Sequence, residues 1–413
     1  MESAKPITLK CGLTLPNRIV KAAMVENLAR APHFLPNEQL LSLYRLWADG
    51  GWGMIMTGNV QVDTMHSGGP GDVGVDAGLS DAELVAAFGA WAQSCGTSAA
   101  SVVQLSHPGR QSPVGTGKRG LFAKTVAPSA VPLRLGTGIV ARVGGAIVFG
   151  TPRAMTLDDI AAVVAQFARG ARICAEAGFA GVEIHGAHGY LLAQFLSESA
   201  NRRTDAYGGS PEARAKFVVD IVRAVREATA FRKGFCVGIK LNSVDHQSAA
   251  ALSDCVKQLR LIEQAGVDFI EISGGTYEDP QMILGQQPTE EKRSARTVAR
   301  EAFFLEFARA IRSEFPDTPL MVTGGFRTRT GVEAAVASGD CELVGIARPA
   351  VMNPALPSNT LFNPEISDAD ATLFAVKIEP PWLAKKLGIM GIGAGFESMW
   401  YNGEMKRMVT AKK

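Results

Sequence analysis

Two histidines and a tyrosine lie within six residues of one another in the segment HGAHGYLLAQFLSESANRRTDAYGGS, which begins at His185. The chain has only six histidines, so the spacing of His185 and His188, with Tyr190 beside them, indicates a site of chemistry. Residues i and i+3 of a regular strand point to opposite faces, so the two imidazoles converge only if the chain bends. Gly186 and Gly189 permit that bend.

Three kinds of site fit this group. A metal pair would need a third protein ligand, and the nearby Glu183 and Asp205 have no clear ligand spacing, so we predict no metal site. A structural pair of hydrogen-bonded loop histidines is the second interpretation, and it stays open for either ring alone. The third is a pair of donors that bind one substrate oxygen. Tyr190 favours the third interpretation, because a phenol can supply the proton that a reduction needs.

The elements that must position these residues alternate along the chain. Short, nearly continuous apolar runs are typical of parallel strands buried on both faces, and amphipathic segments separate them. Thr156 followed by Asp159 predicts a capped helix start. No GxGxxG follows a first strand, so we predict a (β/α)8 TIM barrel rather than a doubly wound sheet. The runs are Ile19–Met24, Met54–Val60, Ser101–Ser106, Gly181–Gly186, Val237–Ser243, Phe269–Gly275, Leu320–Gly325 and Leu343–Arg348, and the segments include Leu157–Ala177, Pro211–Ala230 and Ala250–Ala265.

Two stretches are longer than the repeat, and we predict that both belong to a single barrel domain spanning residues 1–413. The Gly/Pro/Val-rich insertion at about 107–155 alternates apolar residues, which predicts a β-hairpin over the barrel mouth. The C-terminal extension at about 356–413 carries aromatic residues that we expect to cover the barrel surface. Its glycine-rich run at 391–395 predicts a flexible turn.

Active sites of such barrels lie at the carboxyl ends of the strands. Small residues recur at those ends, as a flat ligand close to the backbone requires; they are Ala22, Ala23, Gly58 and Ala347.

The ends of the seventh and eighth runs predict a phosphate site. Gly324 and Gly325 lead into a helix, and Arg348 follows the next run. Barrels often bind phosphate between these two loops through backbone N–H groups. The alternative is that the glycines only end the strand.

The composition excludes several classes of partner. Basic and acidic residues are mixed and nearly balanced, with 42 Lys and Arg against 40 Asp and Glu, so no basic block indicates nucleic acid. The six cysteines are scattered without a CxxC pair, which favours a reducing compartment. No apolar stretch reaches transmembrane length, and the N-terminus lacks the pattern of a signal peptide. We expect a cytoplasmic protein with no membrane partner.

Several motifs, in family order from Pro16 to about Pro349, resemble the Old Yellow Enzyme family of flavin-dependent ene-reductases. The motifs are the histidine segment, LPNRIVKAAM, VVQLSHPGRQ, APSAVPL, PRAMTLDDI, VTGGFRTR and VGIARP. The resemblance implies a (β/α)8 barrel, non-covalently bound FMN, and reduction by NADH or NADPH. It also implies an enone-type small-molecule substrate, whose activated C=C bond is reduced, and a monomer or homodimer.

The resemblance also implies roles for individual residues. Tyr190 is the implied proton donor, and His185 with His188 is the implied pair that binds the substrate's carbonyl or nitro oxygen. Gln104 matches the glutamine that contacts the pyrimidine edge of the flavin, and Lys240 stands where the family usually has an arginine near flavin N1 and O2. The other implied cofactor-binding positions are Ala22, Ala23, Met24, Val25, Gly58, Gly324, Gly325, Ala347 and Arg348.

Two departures from the family pattern bear on the chemistry. Val25 stands where many relatives have a threonine or cysteine, and valine cannot donate a hydrogen bond to the flavin. Lys240 keeps the charge of the usual arginine but loses its bidentate geometry. Two other functions remain open: an isomerising or binding role in one pathway, and a metal-dependent lyase or hydrolase that uses His185 and His188.

Overall fold

The computed structural model describes residues 1–136, 138–243, 249–274, 305–382 and 392–410. Eight parallel strands, β1 to β8 in chain order, each pair with the next, and β8 pairs with β1, which closes the sheet into a barrel. The predicted TIM barrel is therefore confirmed. The strands are Ile19–Lys21, Met54–Gln61, Ala100–Ser106, Gly181–Gly186, Cys236–Asn242, Phe269–Ser273, Leu320–Thr323 and Leu343–Ile346.

Helices surround this sheet and follow most of its strands. Residues 305–312 are also helical, and two short ladders, Ile7–Thr8 with Thr14–Leu15 and Val126–Ala127 with Arg153–Ala154, lie outside the barrel. The helices α1 to α10 are Glu38–Ala48, Asp81–Ser94, Ile139–Val148, Leu157–Ala177, Leu191–Leu196, Pro211–Thr229, Ala249–Gln264, Arg329–Ala337, Arg348–Met352 and Ile392–Thr410.

The capping signal before α4 is confirmed. The Thr156 side chain accepts a hydrogen bond from the Asp159 N–H, and the Asp159 carboxylate accepts one from the Thr156 N–H at 2.8 Å. These bonds satisfy backbone donors that have no partner within the first helical turn. Gly178 ends the helix with φ 103°, a conformation that favours glycine.

Alternate residues of the strands face opposite sides of the barrel wall and belong to two apolar layers. Residues such as Val103 and Ile184 pack outward against the helices, whereas Met54, Phe269 and Leu343 fill the barrel floor. Apart from the half-buried Ala100, every strand residue of the barrel is buried, which explains why the strands read as continuous apolar runs. The inward positions nearer the carboxyl ends are polar, and they form the site.

The predicted hairpin in the insertion is wrong. Its centre is helix α3, and its two short strands, Val126–Ala127 and Arg153–Ala154, pair in parallel rather than as a hairpin. The apolar residues Ile139, Val143 and Ile147 recur every four positions, so the segment fits a helical period as well as an alternating one.

The C-terminal extension contributes a helix to the outer layer. The predicted flexible turn at 391–395 is wrong for residues 392–395, which begin α10; residue 391 lies outside the described residues. Helix α10 packs on α1 and α9, and the buried Tyr401 exchanges hydrogen bonds with the backbone of Val376 at 2.8 and 2.9 Å. None of the helices in the described ranges is long and apolar enough to span a bilayer.

Candidate active site

The bend predicted after the first histidine is present. His185 lies on β4 beside Lys240 of β5, and the chain then turns through His188 and Gly189, with φ 59° and 73°. The turn places Nδ1 of His188 at 3.2 Å from Nε2 of His185. Tyr190 follows as the residue that caps α5. The structure therefore brings the three predicted catalytic residues together.

Hydrogen bonds fix where the protons lie on the two rings. The Ala187 N–H donates to Nδ1 of His185 at 3.2 Å, so the neutral ring carries its proton on Nε2, which faces Nδ1 of His188. His188 then has its proton on Nε2, at 3.3 Å from the Ser273 hydroxyl. Both rings therefore carry an Nε2–H; that of His185 faces Nδ1 of His188 and that of His188 faces the Ser273 hydroxyl, so a ligand oxygen would share or replace these bonds.

The two histidines are neutral at physiological pH. Burial, the neighbouring His188 and the Lys240 charge hold the pKa of His185 well below its usual range. Burial and Lys240 lower the pKa of His188 to about 3. A neutral donor pair can stabilise negative charge that develops on a bound oxygen without first losing a proton.

The backbone of His188 is held on both sides. A left-handed φ is uncommon for a residue with a side chain and carries strain. The His188 N–H donates to Oδ1 of Asn242 at 3.0 Å, and its carbonyl accepts from Nε2 of Gln111 at 3.0 Å. Sequence reasoning did not assign Asn242 or Gln111 to the site, although Asn242 ends the fifth strand on the catalytic side.

Tyr190 lies against the first histidine. Its ring centre is 4.9 Å from that of His185, and the side chain of Asn59 on β2 places Nδ2 at 3.4 Å from the phenol oxygen. Tyr190 is 8% exposed, so its hydroxyl meets a site that is largely shielded from water. Asn59 was also missed, because nothing in its local sequence separates it from an ordinary strand residue.

Below the histidines the barrel contains a buried polar layer. Nε2 of Gln104 donates to Glu183 at 2.6 Å, and Nζ of Lys240 donates to Glu271 at 2.7 Å. Burial and the adjacent Glu271 raise the pKa of Glu183 well above its usual range. Burial by itself would raise the pKa of Glu271, but the Lys240 charge and hydrogen bonds outweigh burial and hold the pKa of this carboxyl below its ordinary value. One negative charge, on Glu271, therefore balances Lys240.

The loop after β1 is fixed against β2. Glu26 accepts hydrogen bonds from the Gly58 N–H at 2.8 Å and from the Tyr44 hydroxyl. A Cβ on Gly58 would lie 2.3 Å from both the Glu26 carboxylate and the Met24 carbonyl, so only glycine fits there. Four of the predicted lining residues, Ala23, Met24, Val25 and Ala347, are half-buried on this side, and Ala22 is fully buried.

The predicted phosphate site lies where β7 and β8 end. Gly324 and Gly325 have φ 118° and 87°, a backbone conformation that favours glycine. Arg348 begins α9 on the adjacent strand end, but its Nη1 is 2.7 Å from Glu397 of α10. Sequence reasoning missed Glu397, which comes from the C-terminal extension. The phosphate-binding role of these residues stays a prediction.

The residues present fit a flavin. The lining near β1, β2 and β8 consists of small residues, and Gly58 lets the backbone of the β1 loop lie directly against β2, because a Cβ there would collide with the Met24 carbonyl. Lys240 and the two histidine Nε2–H groups supply positive and donor character to the opposite wall. A flat, polar ring system with an anionic tail matches both walls.

Comparison with known proteins settles the family. The family model described as "NADH:flavin oxidoreductase / NADH oxidase family" matches residues 4–361. The chain belongs to this family. It is therefore a flavin oxidoreductase, as the motif resemblance implied, and the matched residues include every predicted site residue.

Three relatives of this flavin oxidoreductase cover nearly the whole chain. It is 54% identical to "NADH-dependent flavin oxidoreductase iliE" of Neonectria sp. (strain DH2) over 97% of this chain, and it spans only 53% of that longer relative. It is 50% identical to the protein of the same name from Hypocrea jecorina (strain QM6a), over 97% of this chain and 98% of the relative. It is 49% identical to "NADH-dependent flavin oxidoreductase iccE" of Talaromyces variabilis, over 98% of this chain and 97% of the relative.

Solved structures support the same fold. An old yellow enzyme homologue from Zymomonas mobilis superposes with a TM-score of 0.68 at 22% identity, over 89% of this chain and 94% of that one. A 2-naphthoyl-CoA reductase gives a TM-score of 0.74 at 22% identity, over 96% of this chain and 58% of that one. At this level of identity the similarity shows the fold alone.

Proposed function

We propose that this flavin oxidoreductase binds FMN, takes electrons from NADH or NADPH, and reduces C=C bonds conjugated to a carbonyl or nitro group. The observation that carries the proposal is the pair of neutral Nε2–H donors on His185 and His188, with the Tyr190 hydroxyl beside them. An electron-withdrawing oxygen and an adjacent carbon that needs a proton are the substrate features that this trio matches.

The chain's own residues supply binding and proton transfer. When bound, a flavin supplies hydride transfer. His185 and His188 donate to the substrate oxygen, and these bonds strengthen as negative charge grows there, which lowers the barrier. Tyr190 gives its proton to the α-carbon. Asn59 can donate to the Tyr190 oxygen, so it helps the phenol to lose that proton.

The residues that would hold the cofactor come from several strand ends. Gln104 and Lys240 would meet the ring system from the polar layer, with Ala22, Ala23, Met24, Val25 and Gly58 lining the other wall. Gly324, Gly325, Ala347 and Arg348 would meet the phosphate. One phosphate site without a dinucleotide fingerprint supports FMN rather than FAD.

The metal-dependent alternative has less support. The described residues form two groups of possible metal ligands, and neither includes His185 or His188. His185 also accepts an N–H at Nδ1, so its Nε2 carries a proton rather than a free lone pair. An isomerising role in one pathway would use the same site, and the assay must separate it from reduction.

The test begins with the purified protein. We expect heat to release a flavin that chromatography identifies as FMN. Anaerobic addition of NADH or NADPH should bleach the flavin, and 2-cyclohexenone or a nitroalkene should restore its colour while the saturated product forms. Recovery of FAD or of no flavin contradicts the cofactor assignment. Conversion of substrate to an isomer without net consumption of nicotinamide contradicts the reductase assignment.

A further inference from the structure

Helix α3 of the insertion has its large apolar residues on the outside. Ala141 and Gly145 form its buried side, and a Cβ on Gly145 would contact Leu133 and Leu135 at 3.6–3.8 Å. The aliphatic side chains instead face solvent. Ile139 is 79% exposed and Ile147 is 71% exposed. A helix that packs only on a protein core shows the reverse arrangement.

A loop earlier in the insertion adds further exposed apolar side chains. Phe122 is fully exposed, and Leu121 beside it is 65% exposed. Across the described residues, eight of the fifteen exposed large hydrophobic side chains belong to the insertion, so the exposure is concentrated rather than scattered. We call the following residues the apolar patch: Leu121, Phe122, Ile139, Val140, Val143 and Ile147.

The charge of the insertion differs from that of the whole chain. Residues 107–155 contain seven lysines and arginines and no aspartate or glutamate, although the chain as a whole is nearly balanced. Lys124 and Arg142 are exposed, and neither forms an ion pair within the part of the chain that the structure describes. Lys118 and Arg153 of the insertion are ion-paired with Asp76 and Asp159, so the basic border of the apolar patch is assigned to Lys124, two residues after Phe122, and to Arg142 on α3.

The insertion lies on the mouth side of the barrel. It follows the carboxyl end of β3, and its Thr116 hydroxyl donates to the Ser67 carbonyl in the loop after β2 at 2.9 Å. The Arg202 N–H, in the loop after α5, donates to the hydroxyl of Ser129 at 2.9 Å. The apolar patch is thus carried by a segment anchored at the end of the barrel that holds the site.

We propose that the apolar patch and its basic border bind the surface of an anionic lipid membrane. A helix with exposed aliphatic residues, an exposed loop phenylalanine and the exposed basic residues Lys124 and Arg142 have the chemistry of an interfacial membrane contact. Our expectation of no membrane partner rested on transmembrane length, which a surface-bound helix does not need. The contact would place the barrel mouth close to lipid-dissolved small molecules.

A lipid surface fits the patch better than a second copy of the chain does. Two copies meeting through this face would bring two sets of the exposed Lys124 and Arg142 side chains together, and like charges repel. Anionic head groups complement those charges, while the acyl layer receives the apolar side chains.

The chain offers a matched pair of variants. Phe122→Ser with Lys124→Glu alters the patch, whereas Phe231→Ser with Lys233→Glu makes the same changes, at the same spacing, in the exposed loop that precedes β5. That loop enters β5 at its amino end, opposite the barrel mouth. Both variants change the net charge equally, so a difference in vesicle binding between them is due to where the substitutions lie.

The experiment is cosedimentation of the flavin-loaded protein with vesicles of phosphatidylcholine alone, or with about a third phosphatidylserine. We expect binding to the anionic vesicles only, reduced by high salt, and weakened at least about tenfold in the Phe122/Lys124 variant. The Phe231/Lys233 variant should bind like the wild type.

Two results overturn the proposal. The first is wild-type binding that is absent, or that both double variants weaken equally. The second is a dimer, seen by light scattering, that the Phe122/Lys124 variant alone dissociates while vesicles bind neither protein. That result would assign the face to contact between copies. NADH oxidation with a water-soluble acceptor should remain unchanged in both variants, which shows that each is folded.

Discussion

At the scale of single residues, the site depends on neutral donors rather than on charged ones. Burial keeps His185 and His188 unprotonated, and the backbone N–H of Ala187 selects the tautomer that presents Nε2–H. The positive charge of the site is left to Lys240, whose Nζ is bonded to Glu271. In the proposed function, the chemistry is divided between histidines that bind an oxygen and a phenol that gives up a proton.

Replacing Tyr190 with phenylalanine separates these roles. We expect Tyr190→Phe to slow reoxidation of the reduced enzyme by an enone by about 10²–10⁴-fold, the usual worth of general acid catalysis. Reduction by NADH needs no proton from the phenol, so its rate should stay near the wild-type value. Stopped-flow absorbance of each half-reaction measures both rates. Equal losses in the two halves would make Tyr190 a structural or nicotinamide-binding residue.

Binding of a phenol tests the histidine pair and its support. A phenolate placed on the two Nε2–H groups loses a charge-assisted hydrogen bond in His185→Ala or His188→Ala, so each should weaken binding by about one to two orders of magnitude. Asn242→Ala removes the acceptor of the His188 N–H, and we expect phenol binding to weaken roughly threefold to tenfold. Titration of the long-wavelength absorbance band measures all three. A wild-type affinity in Asn242→Ala would show that the turn holds His188 without it.

At the scale of elements, the barrel strands assemble a buried layer that no single strand contains. Register sets Gln104 of β3 beside Glu183 of β4, and Lys240 of β5 beside Glu271 of β6. Two carboxyls then share one net charge, because burial favours the neutral form of Glu183 while Lys240 favours the ionised form of Glu271.

Glu183 therefore makes stability depend on pH with a known sign. Its folded pKa is raised, so its contribution is present below the unfolded pKa of about 4.3 and is lost as pH rises toward the folded pKa. Glutamine at position 183 cannot ionise, so Glu183→Gln should not lose stability in this way as pH rises. We expect the variant to have a higher unfolding free energy than the wild type at pH 8 and about the same value near pH 4. Denaturant titrations across this range measure the difference.

A second carboxyl gives the control with the opposite sign. Hydrogen bonding to Lys10 holds the pKa of Glu263 below its usual range, so this group stabilises the fold above the unfolded pKa. Glu263→Gln should lower stability at neutral pH and have no effect in acid. If Glu183→Gln followed the same trend as Glu263→Gln, Glu183 would be ionised in the folded protein.

At the scale of the whole molecule, the C-terminal extension reaches the site. The family match ends at residue 361, yet Glu397 of α10 accepts a hydrogen bond from Arg348. With its amide nitrogen turned toward the β1 loop, Asn402 of the same helix donates to the Val25 carbonyl at 2.7 Å. Arg348 and Val25 are both predicted cofactor-binding residues. A segment outside the matched family region thus orients two parts of the site.

Asn402 provides the test of this arrangement. Asn402→Ala removes one hydrogen bond from the loop that carries Val25, and we expect FMN affinity to fall roughly threefold to tenfold. Fluorescence titration of the flavin-free protein with FMN measures the change. Glu404→Gln, which breaks only an ion pair with Arg407 on the same helix, should leave the affinity unaltered. Equal losses in both variants would indicate general loosening of α10.

The local sequence was enough to predict features that depend on neighbours in the chain. The eight strands and the cap of α4 follow from apolar runs and a Thr–Asp spacing. Each is set by interactions within a few residues, and the motif order added the family.

Only the tertiary structure decided which distant groups meet. The pattern of the insertion fits a helix and a hairpin equally well, and the packing of Ala141 and Gly145 selects the helix. The sequence alone does not pair Glu271 with Lys240, or Glu397 with Arg348. Such pairings depend on strand register and on where a terminal helix docks. Both arise from the burial of many side chains together, which no short segment contains.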